Sequence, residues 1–375
     1  MTHVQGAVAP GYEAVRDVFE ASFARGHDTG AAFAAEVDGE RVVDLWGGVA
    51  DQQTGTPWNE HTVVVMFSGT KGVVSTALLL LVDRGVLNLD APVTRYWPEF
   101  GVAGKHEITV AMLASHAGGL PGVEEPITDH DLEHPEQIAA LLAAQEPMVD
   151  LGRPCYHAYT FGWLCGELVR RVDGRTVGRF VADEIAGPLG LDIRIGMPVG
   201  DPLYAHVAHV TSSPDYQLSA FQVRDPDPRL AKVYGLLTAP IDDYATPSVL
   251  SLEIPAANGV SSARAMASLY GRLARDGGGL VSAPTMQLAR QQASQGDDPL
   301  SGRLLRFGPT GFELNPNPSS LGPPNDAFGH TGAGGSSHGA WPSHGVGFSY
   351  LTNFGRPENA DGRARALLEA LHSSL

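Results

Sequence analysis

The residues with the clearest chemical potential are a serine and a lysine three positions apart, Ser68 and Lys71. A β-branched run, Val63-Val-Val, precedes the serine, and an apolar stretch with the length of a buried helix follows it. Side chains three positions apart lie on the same helix face, one turn from each other. Because burial disfavours the charged form of lysine, the pair predicts a serine nucleophile whose proton Lys71 accepts. The alternative is a serine that caps a helix beside an exposed lysine.

The chain is acidic and poor in lysine. Its 375 residues include 42 acidic and 25 basic ones, which gives a formal net charge of -17. Such a chain is unsuited to binding nucleic acid or anionic lipid, because both need a basic surface. Lysine occurs only as Lys71, Lys105 and Lys232, so a lysine one turn after Ser68 is harder to attribute to composition.

Motifs typical of metal and cofactor sites are missing from the sequence. It contains no His-Glu-x-x-His, no Walker-type Gly-Lys-Ser/Thr and no Gly-x-Gly-x-x-Gly after a strand. We therefore expect neither a metal nor an organic cofactor, and the chemistry would come from side chains.

A second serine lies in a nucleophile-like pattern, Gly335-Ser-Ser337-His-Gly339. A Gly-x-Ser-x-Gly serine is exposed on a sharp turn when a strand precedes the pattern and a helix follows it. Here Ala340-Trp-Pro follows, without helical periodicity, which favours a glycine-rich turn between two strands. Ser337 is the alternative nucleophile.

Both ends of the chain have the patterns of an α/β layer. Asp38-Gly39 predicts a tight turn between two strands. The predicted elements are helices over 12–25 and 363–371 and strands over 31–37, 41–46, 327–331 and 345–352. We expect the two terminal segments to share one sheet.

The middle of the chain has mainly helical patterns, joined by stretches rich in glycine and proline. Helices are predicted over 71–83, 110–114, 137–144, 161–172, 177–184 and 263–275. Residues 200–250 are rich in proline and are expected to form long ordered loops around a cleft. The sequence thus predicts an α/β part made of residues 1–66 and 301–375, a mainly helical part made of residues 67–300, and an active-site cleft between them.

No export signal or membrane span is predicted. The N-terminal residues lack the basic segment and apolar core of a secretory signal. The longest apolar run lies within Val73–Val82 and is far shorter than the ~18 residues of a membrane span. We expect a cytoplasmic protein with free thiols at Cys155 and Cys165. A homo-oligomer is neither predicted nor excluded.

Several motifs, in order along the chain, resemble those of the serine β-lactamase and penicillin-binding-protein superfamily. Ser68-x-x-Lys71 resembles the first motif. Further stretches are similar to the class C β-lactamase-like branch and its family VIII carboxylesterases: Leu80 to Leu89 with Asp90-Ala-Pro-Val, Met112-Leu-Ala-Ser-His-Ala-Gly-Gly-Leu-Pro121, Gly187-Pro-Leu-Gly-Leu191 and Phe328-Gly-His-Thr-Gly332. The resemblance covers residues 12–371 and implies an antiparallel sheet flanked by helices.

Tyr156-His-Ala158 resembles the second motif, which is Tyr-x-Asn in the superfamily and Tyr-x-x in its esterases. The match implies that the Tyr156 phenol lies near Ser68 and Lys71, where a neighbouring cation would favour phenolate and let it relay protons. We expect Tyr156 to open a helix. Tyr159 is the alternative catalytic tyrosine.

His330-Thr331-Gly332 stands where the superfamily usually has Lys-Thr-Gly on a strand beside the nucleophile. The resemblance implies that these three residues bind substrate and that Ala333 N–H and Ser68 N–H form the oxyanion hole. A lysine in the motif suits the carboxylate of a β-lactam or peptide, whereas a histidine is mostly neutral near pH 7. The substitution therefore favours a neutral ester.

Two further residues are predicted to bind substrate. Asn258 lies in a segment similar to one that lines the family's cleft, just before Ser261 and Ser262, either of which would cap the next helix. Trp341 would contact an acyl or aryl group, with core packing as the alternative.

Residues and resemblance together predict a serine carboxylesterase that hydrolyses small, short-chain or aryl esters. Ser68 would attack the ester, Lys71 and Tyr156 would move the proton to the leaving alcohol, and water would clear the acyl-enzyme. The alternatives are an acyltransferase of the same fold, a β-lactamase or D-aminopeptidase-type hydrolase, and a non-catalytic binding protein. The expected partner is a small-molecule ester, without nucleic acid or membrane.

Overall fold

A computed structural model describes residues 3–221, 227–236, 240–315, 320–358 and 361–375. The strands are β1 (Val4–Val8), β2 (Gly30–Val37), β3 (Glu40–Asp51), β4 (Thr56–Pro57), β5 (Val64–Val65), β6 (Ile193–Arg194), β7 (Thr211–Ser212), β8 (Val260–Ser261), β9 (Ser294–Asp297), β10 (Leu304–Phe307), β11 (Glu313–Leu314), β12 (Phe328–Thr331), β13 (Ser337–Trp341), β14 (Val346–Thr352) and β15 (Phe354–Gly355). The α-helices are α1 (Glu13–Ala24), α2 (Thr70–Asp83), α3 (Val110–Ala114), α4 (Asp129–Leu132), α5 (Pro135–Ala144), α6 (Thr160–Asp173), α7 (Val177–Val181), α8 (Gly187–Leu189), α9 (Leu230–Tyr234), α10 (Pro247–Leu250), α11 (Ala263–Ala274), α12 (Ala283–Ala289) and α13 (Arg363–Ser373).

One large antiparallel sheet is built from both ends of the chain. Its strand order is β1-β3-β2-β14-β13-β12-β11-β10-β9, and β4 pairs with β3. In the central pair, Ala31 of β2 lies opposite Thr352 of β14. The predicted α/β class and the shared sheet are confirmed. The predicted turn between β2 and β3 is confirmed too, with positive φ at Asp38 (50°) and Gly39 (88°).

Helices cover both faces of this sheet. On one face, α1 and α13 bury Phe19 and Leu368 against strand residues such as Phe348. On the other face, α11 packs so tightly on β14 that a Cβ at Gly347 would lie 2.0 Å from the backbone nitrogen of Gly271. A side chain at that strand position would therefore push the helix off the sheet.

The helix that follows Ser68 is buried on all sides. Every residue of α2 from Thr70 to Leu81 is buried, and α6, α7 and α12 lie among its neighbours. A helix that is apolar around its whole circumference needs such surroundings. Its burial explains why this stretch shows no polar stripe in the sequence.

The helix predictions agree with the structure to within a few residues, with two exceptions. The predicted helix 177–184 is α-helical only to Val181 and continues as a π-helix over Ala182–Ala186. The helix expected to open at Tyr156 begins at Thr160 instead. Residues 200–250 contain several short helices between their loops, although residues 222–226 and 237–239 lie outside the described part.

The sheet reaches further into the chain than the predicted division at residue 300. Strand β9 already pairs with β10, and α11 packs on β2 and β14. The division into an α/β part and a helical part stays a prediction.

Cys155 and Cys165 are buried free thiols. In the described ranges, every helix is too short or too polar to cross a membrane.

Candidate active site

Ser68 lies in a short 3₁₀ helix, Phe67–Gly69, between strand β5 and helix α2. The preceding residue, Phe67, has a φ of 48°, which bulky residues rarely adopt. Its ring packs against Tyr244 with the centroids 5.4 Å apart, and Met66 N donates to Gly259 O at 2.8 Å. Such a backbone conformation persists only where the surroundings hold it. These contacts therefore fix the turn that presents the serine.

Lys71 lies one turn further along, and its side chain is buried. Its Nζ lies 3.0 Å from Ser68 Oγ, 2.7 Å from Ala158 O and 3.0 Å from Ala256 O. No carboxylate pairs with this amine in the described part of the chain. Burial holds the pKa of Lys71 well below the ordinary value for lysine. A buried amine without a counter-ion tends to be neutral and can accept a proton.

Tyr156 is placed beside both of these residues. Its side chain interacts with that of Ser68, and Lys71 Nζ lies 4.9 Å from the centre of its ring. Burial raises the pKa of Tyr156, and the Ser68 contact opposes this only in part. Burial therefore opposes the phenolate expected from the sequence and favours a phenol that keeps its proton.

Tyr159, the alternative tyrosine, makes a different contact. Its hydroxyl lies 2.7 Å from the hydroxyl of Tyr244. Because the cleft around Ser68 is lined by Tyr156 and not by Tyr159, the arrangement favours Tyr156 as the partner of Ser68.

The segment that carries Tyr156 is held outside helix α6 by buried polar groups. Tyr156 N donates to Asp298 Oδ2 at 3.0 Å, and His157 N donates to His116 Nδ1 at 3.0 Å. His116 itself has a φ of 63°, and its ring packs against that of Phe307 with the centroids 4.3 Å apart. His116 is thus a buried turn residue. It fixes the loop from which Tyr156 reaches the nucleophile.

The third predicted motif occupies the end of strand β12, beside the Ser68 turn. His330 is buried, its Nδ1 donates to Thr331 O at 2.7 Å, and burial lowers its pKa to about 3. Thr331 Oγ1 donates to Glu313 Oε2 at 3.2 Å. His330 is thus neutral at physiological pH. At this position the cleft has a polar ring rather than a cation.

Gly332 brings the next amide close to the nucleophile turn. A Cβ at this residue would lie 2.3 Å from Met66 O, so only glycine allows the approach. Ala333 follows directly, and both Ala333 and Ser68 line the same cleft. The two residues whose amides are proposed for the oxyanion hole therefore line one cleft.

That cleft has a volume of about 300 Å³. Besides the residues above, its walls include Tyr234, Phe307, Arg303, Glu313, Glu358 and Arg365. Arg303 lies within electrostatic range of Glu313 and Glu358, and both carboxylates favour its charged form.

Two predicted substrate contacts lie elsewhere. Trp341 is fully buried in the core under α1 and α13, where its Nε1 donates to Leu321 O at 2.7 Å. Asn258 is buried in a loop, where its Nδ2 donates to Val249 O and Leu252 O. Neither side chain lines the cleft, so both predictions of direct contact are corrected. Asn258 instead shapes the loop whose Ala256 carbonyl contacts Lys71.

Ser337 lines the cleft but does not lie on an exposed nucleophile turn. It is buried as the first residue of strand β13, which leads into a short 3₁₀ helix rather than an α-helix, and its Oγ donates to Ser320 O at 3.2 Å. Ser262, rather than Ser261, caps α11 by accepting a hydrogen bond from Ala265 N.

The two carbonyls that contact Lys71 and the cleft residues Arg303, Glu313 and Tyr234 are not predicted by any sequence motif. Backbone carbonyls leave no signal in a sequence. The cleft residues come from distant segments that only the fold brings together.

Comparisons with known proteins agree with this architecture. The beta-lactamase family model matches residues 15–372. The esterase/beta-lactamase LipL of Mycobacterium tuberculosis is 34% identical over 93% of this chain and 83% of its own length. Two solved structures cover all of both chains at 35% identity: a family VIII carboxylesterase with a TM-score of 0.90, and a penicillin-binding protein homologue from Caulobacter crescentus with a TM-score of 0.89.

The match extends over nearly the whole chain, and the ordered motifs at Ser68, Tyr156 and His330 meet in one cleft. The chain therefore belongs to the beta-lactamase family.

Proposed function

We propose that this protein is a serine carboxylesterase that cleaves small neutral esters through an acyl-enzyme on Ser68. The observation that carries the proposal is the contact set of the buried Lys71 amine. A neutral amine has two N–H groups and one lone pair. The carbonyls of Ala158 and Ala256 accept the two N–H groups, which leaves the lone pair for the Ser68 hydroxyl.

The reaction follows from these positions. Lys71 takes the Ser68 proton as Oγ attacks the ester carbonyl, and the amides of Ser68 and Ala333 stabilise the oxyanion. Tyr156 then donates its proton to the leaving alcohol and is reprotonated from the Lys71 ammonium. Water hydrolyses the acyl-enzyme by the same steps in reverse.

The composition of the cleft supports an ester rather than a β-lactam. His330 is neutral because burial lowers its pKa to about 3, and Ala158 replaces the asparagine of the family's second motif. The third motif therefore lacks the charged lysine that suits the carboxylate of a β-lactam. Relatives named esterase support the same activity.

The test compares Ser68→Ala with Ser337→Ala, assayed on p-nitrophenyl acetate and butyrate. We expect kcat to fall by about 10³-fold or more in Ser68→Ala, because the nucleophile is lost. Ser337→Ala should stay within about tenfold of the natural protein, since its hydroxyl is bound to Ser320 O. Full activity in Ser68→Ala would refute the proposal.

A further inference from the structure

A buried arginine outside the cleft contacts the turn that carries the Ala333 amide. Arg363 is the first residue of α13, and only 2% of its side chain is exposed. Its Nη2 donates to Gly334 O at 2.7 Å. A charged donor makes a stronger hydrogen bond to a carbonyl than a neutral donor does.

The remaining donors of Arg363 hold the guanidinium in place. Nε donates to Asp361 Oδ1 at 2.9 Å, and Nη1 donates to Asp28 Oδ1 at 3.0 Å and His27 O at 3.1 Å. Asp28 also accepts from the hydroxyl of Tyr350 at 2.6 Å. Because these hydrogen bonds fix the guanidinium, the position of Arg363 determines the position of the Gly334 carbonyl that it contacts.

Two peptide groups connect Arg363 with the Ala333 N–H. The Gly334–Gly335 peptide accepts from Arg363 at its carbonyl and donates from Gly335 N to Gly332 O at 3.2 Å. The Gly332 carbonyl belongs to the same peptide group as Ala333 N–H. Hydrogen bonds in series polarise one another, so a cation at one end strengthens the donor at the other.

The turn is packed closely against neighbouring side chains at Gly335. Gly334 and Gly335 have φ values of 79° and 105°, and a Cβ at Gly335 would lie 2.1 Å from Asp361 Oδ2. The turn is therefore packed directly against the Asp361–Arg363 pair.

We propose that Arg363 is a positioning residue for the oxyanion hole, acting on Ala333 N–H through the peptide groups Gly334–Gly335 and Gly332–Ala333. The proposal rests on the function proposed above. Arg363 contacts neither substrate nor nucleophile. Its cation aligns and polarises the amide on which negative charge develops during acylation and deacylation.

The test measures Arg363→Lys with p-nitrophenyl acetate and with phenylboronic acid, whose tetrahedral serine adduct places an oxygen in the oxyanion hole. Loss of a whole oxyanion donor costs about 10²–10³-fold in kcat, so a donor that is retained but misaligned should cost about 10–100-fold. We expect this loss in kcat with KM within about threefold, and the affinity for phenylboronic acid should fall by the same factor as kcat/KM.

Tyr350→Phe is the matched control, because it removes a hydrogen bond from the same buried network and leaves the Arg363–Gly334 contact intact. It should lower the melting temperature without changing kcat or boronate affinity. If Arg363→Lys does not fold, the double variant Asp361→Asn/Arg363→Gln replaces the charged pair by two amides and is expected to show the same loss.

Activity within threefold of the natural protein in a folded Arg363 variant would overturn the proposal, as would a loss of kcat with unchanged boronate affinity. Ser68→Ala assayed in parallel separates the two claims. Activity retained in Ser68→Ala contradicts the proposed function, whereas activity lost there and kept in the Arg363 variant contradicts only the role of Arg363.

Discussion

Burial acts in opposite directions on the pKa values of the two residues proposed to transfer protons. It lowers the pKa of Lys71 and raises the pKa of Tyr156. The amine is thereby prepared to accept a proton and the phenol to donate one. Such separation of neighbouring titratable groups is how one site supplies both an acid and a base near neutral pH.

Tyr156→Phe should separate the two candidate tyrosines. We expect kcat on p-nitrophenyl acetate to fall by about 10²–10⁴-fold, since a positioned acid contributes that much, while KM changes little. Tyr159→Phe removes only the contact with Tyr244 and should cost less than about tenfold in kcat. Steady-state kinetics of both variants measure these losses in kcat. A larger loss in Tyr159→Phe than in Tyr156→Phe would identify Tyr159 as the catalytic tyrosine.

The contact between the side chains of Ser68 and Lys71 could be predicted from the sequence, because residues three apart share a helix face. The protonation state of Tyr156 could not, since it depends on burial that distant segments create. The same holds for the Ala158 and Ala256 carbonyls, which lie 87 and 185 residues from Lys71.

Among the structural elements, the turn between β12 and β13 has a strict backbone requirement. It approaches the Ser68 turn at Gly332, where a Cβ would lie 2.3 Å from both Met66 O and Ser336 Oγ. A side chain there would displace Ala333 from the oxyanion position.

Gly332→Ala should therefore reduce kcat/KM by about 100-fold or more, because displacement of about 1 Å costs that much. Gly362→Ala is the control: no atom lies within 4 Å of a Cβ at that position. Its kcat/KM should stay within about twofold of the natural protein. Both variants need a thermal unfolding measurement beside the ester assay. Gly332→Ala with full activity would show that the two turns do not meet as described.

Strand β13 shows where the sequence patterns were insufficient. Its residues, Ser337 to Trp341, are buried on both faces and do not alternate between polar and apolar types. They were therefore assigned to a turn. The loop before α6 was assigned to a helix because nothing in the sequence indicates that Asp298 and His116 hold it.

On the scale of the whole molecule, the core around the site contains four buried histidines. Burial lowers the pKa of His157 to about 4, of His330 and His338 to about 3, and of His116 well below its ordinary value. In the unfolded chain a histidine titrates near pH 6.5. Between about pH 4 and 6.5 the unfolded state therefore binds more protons, and stability falls as the pH falls.

His338→Asn should weaken this pH dependence. Each such histidine contributes about 1.4 kcal/mol per pH unit below its unfolded pKa. In urea unfolding between pH 6.5 and 5, the free energy of unfolding of the variant should fall less steeply as the pH falls. The difference in slope should approach about 1.4 kcal/mol per pH unit, which corresponds to one proton. His61→Asn, at an exposed position, controls for loss of a histidine as such. An unchanged slope in His338→Asn would mean that His338 is protonated in the folded protein.

The proposed mechanism requires an acyl group bound to Ser68. That claim is tested by mixing the protein with p-nitrophenyl acetate, quenching in acid, and determining the intact mass and the modified peptide by mass spectrometry. We predict one acetyl group per chain, located on Ser68 and missing from Ser68→Ala. An acetyl group on Ser337 or on any other residue, with Ser68 unmodified, would contradict the account.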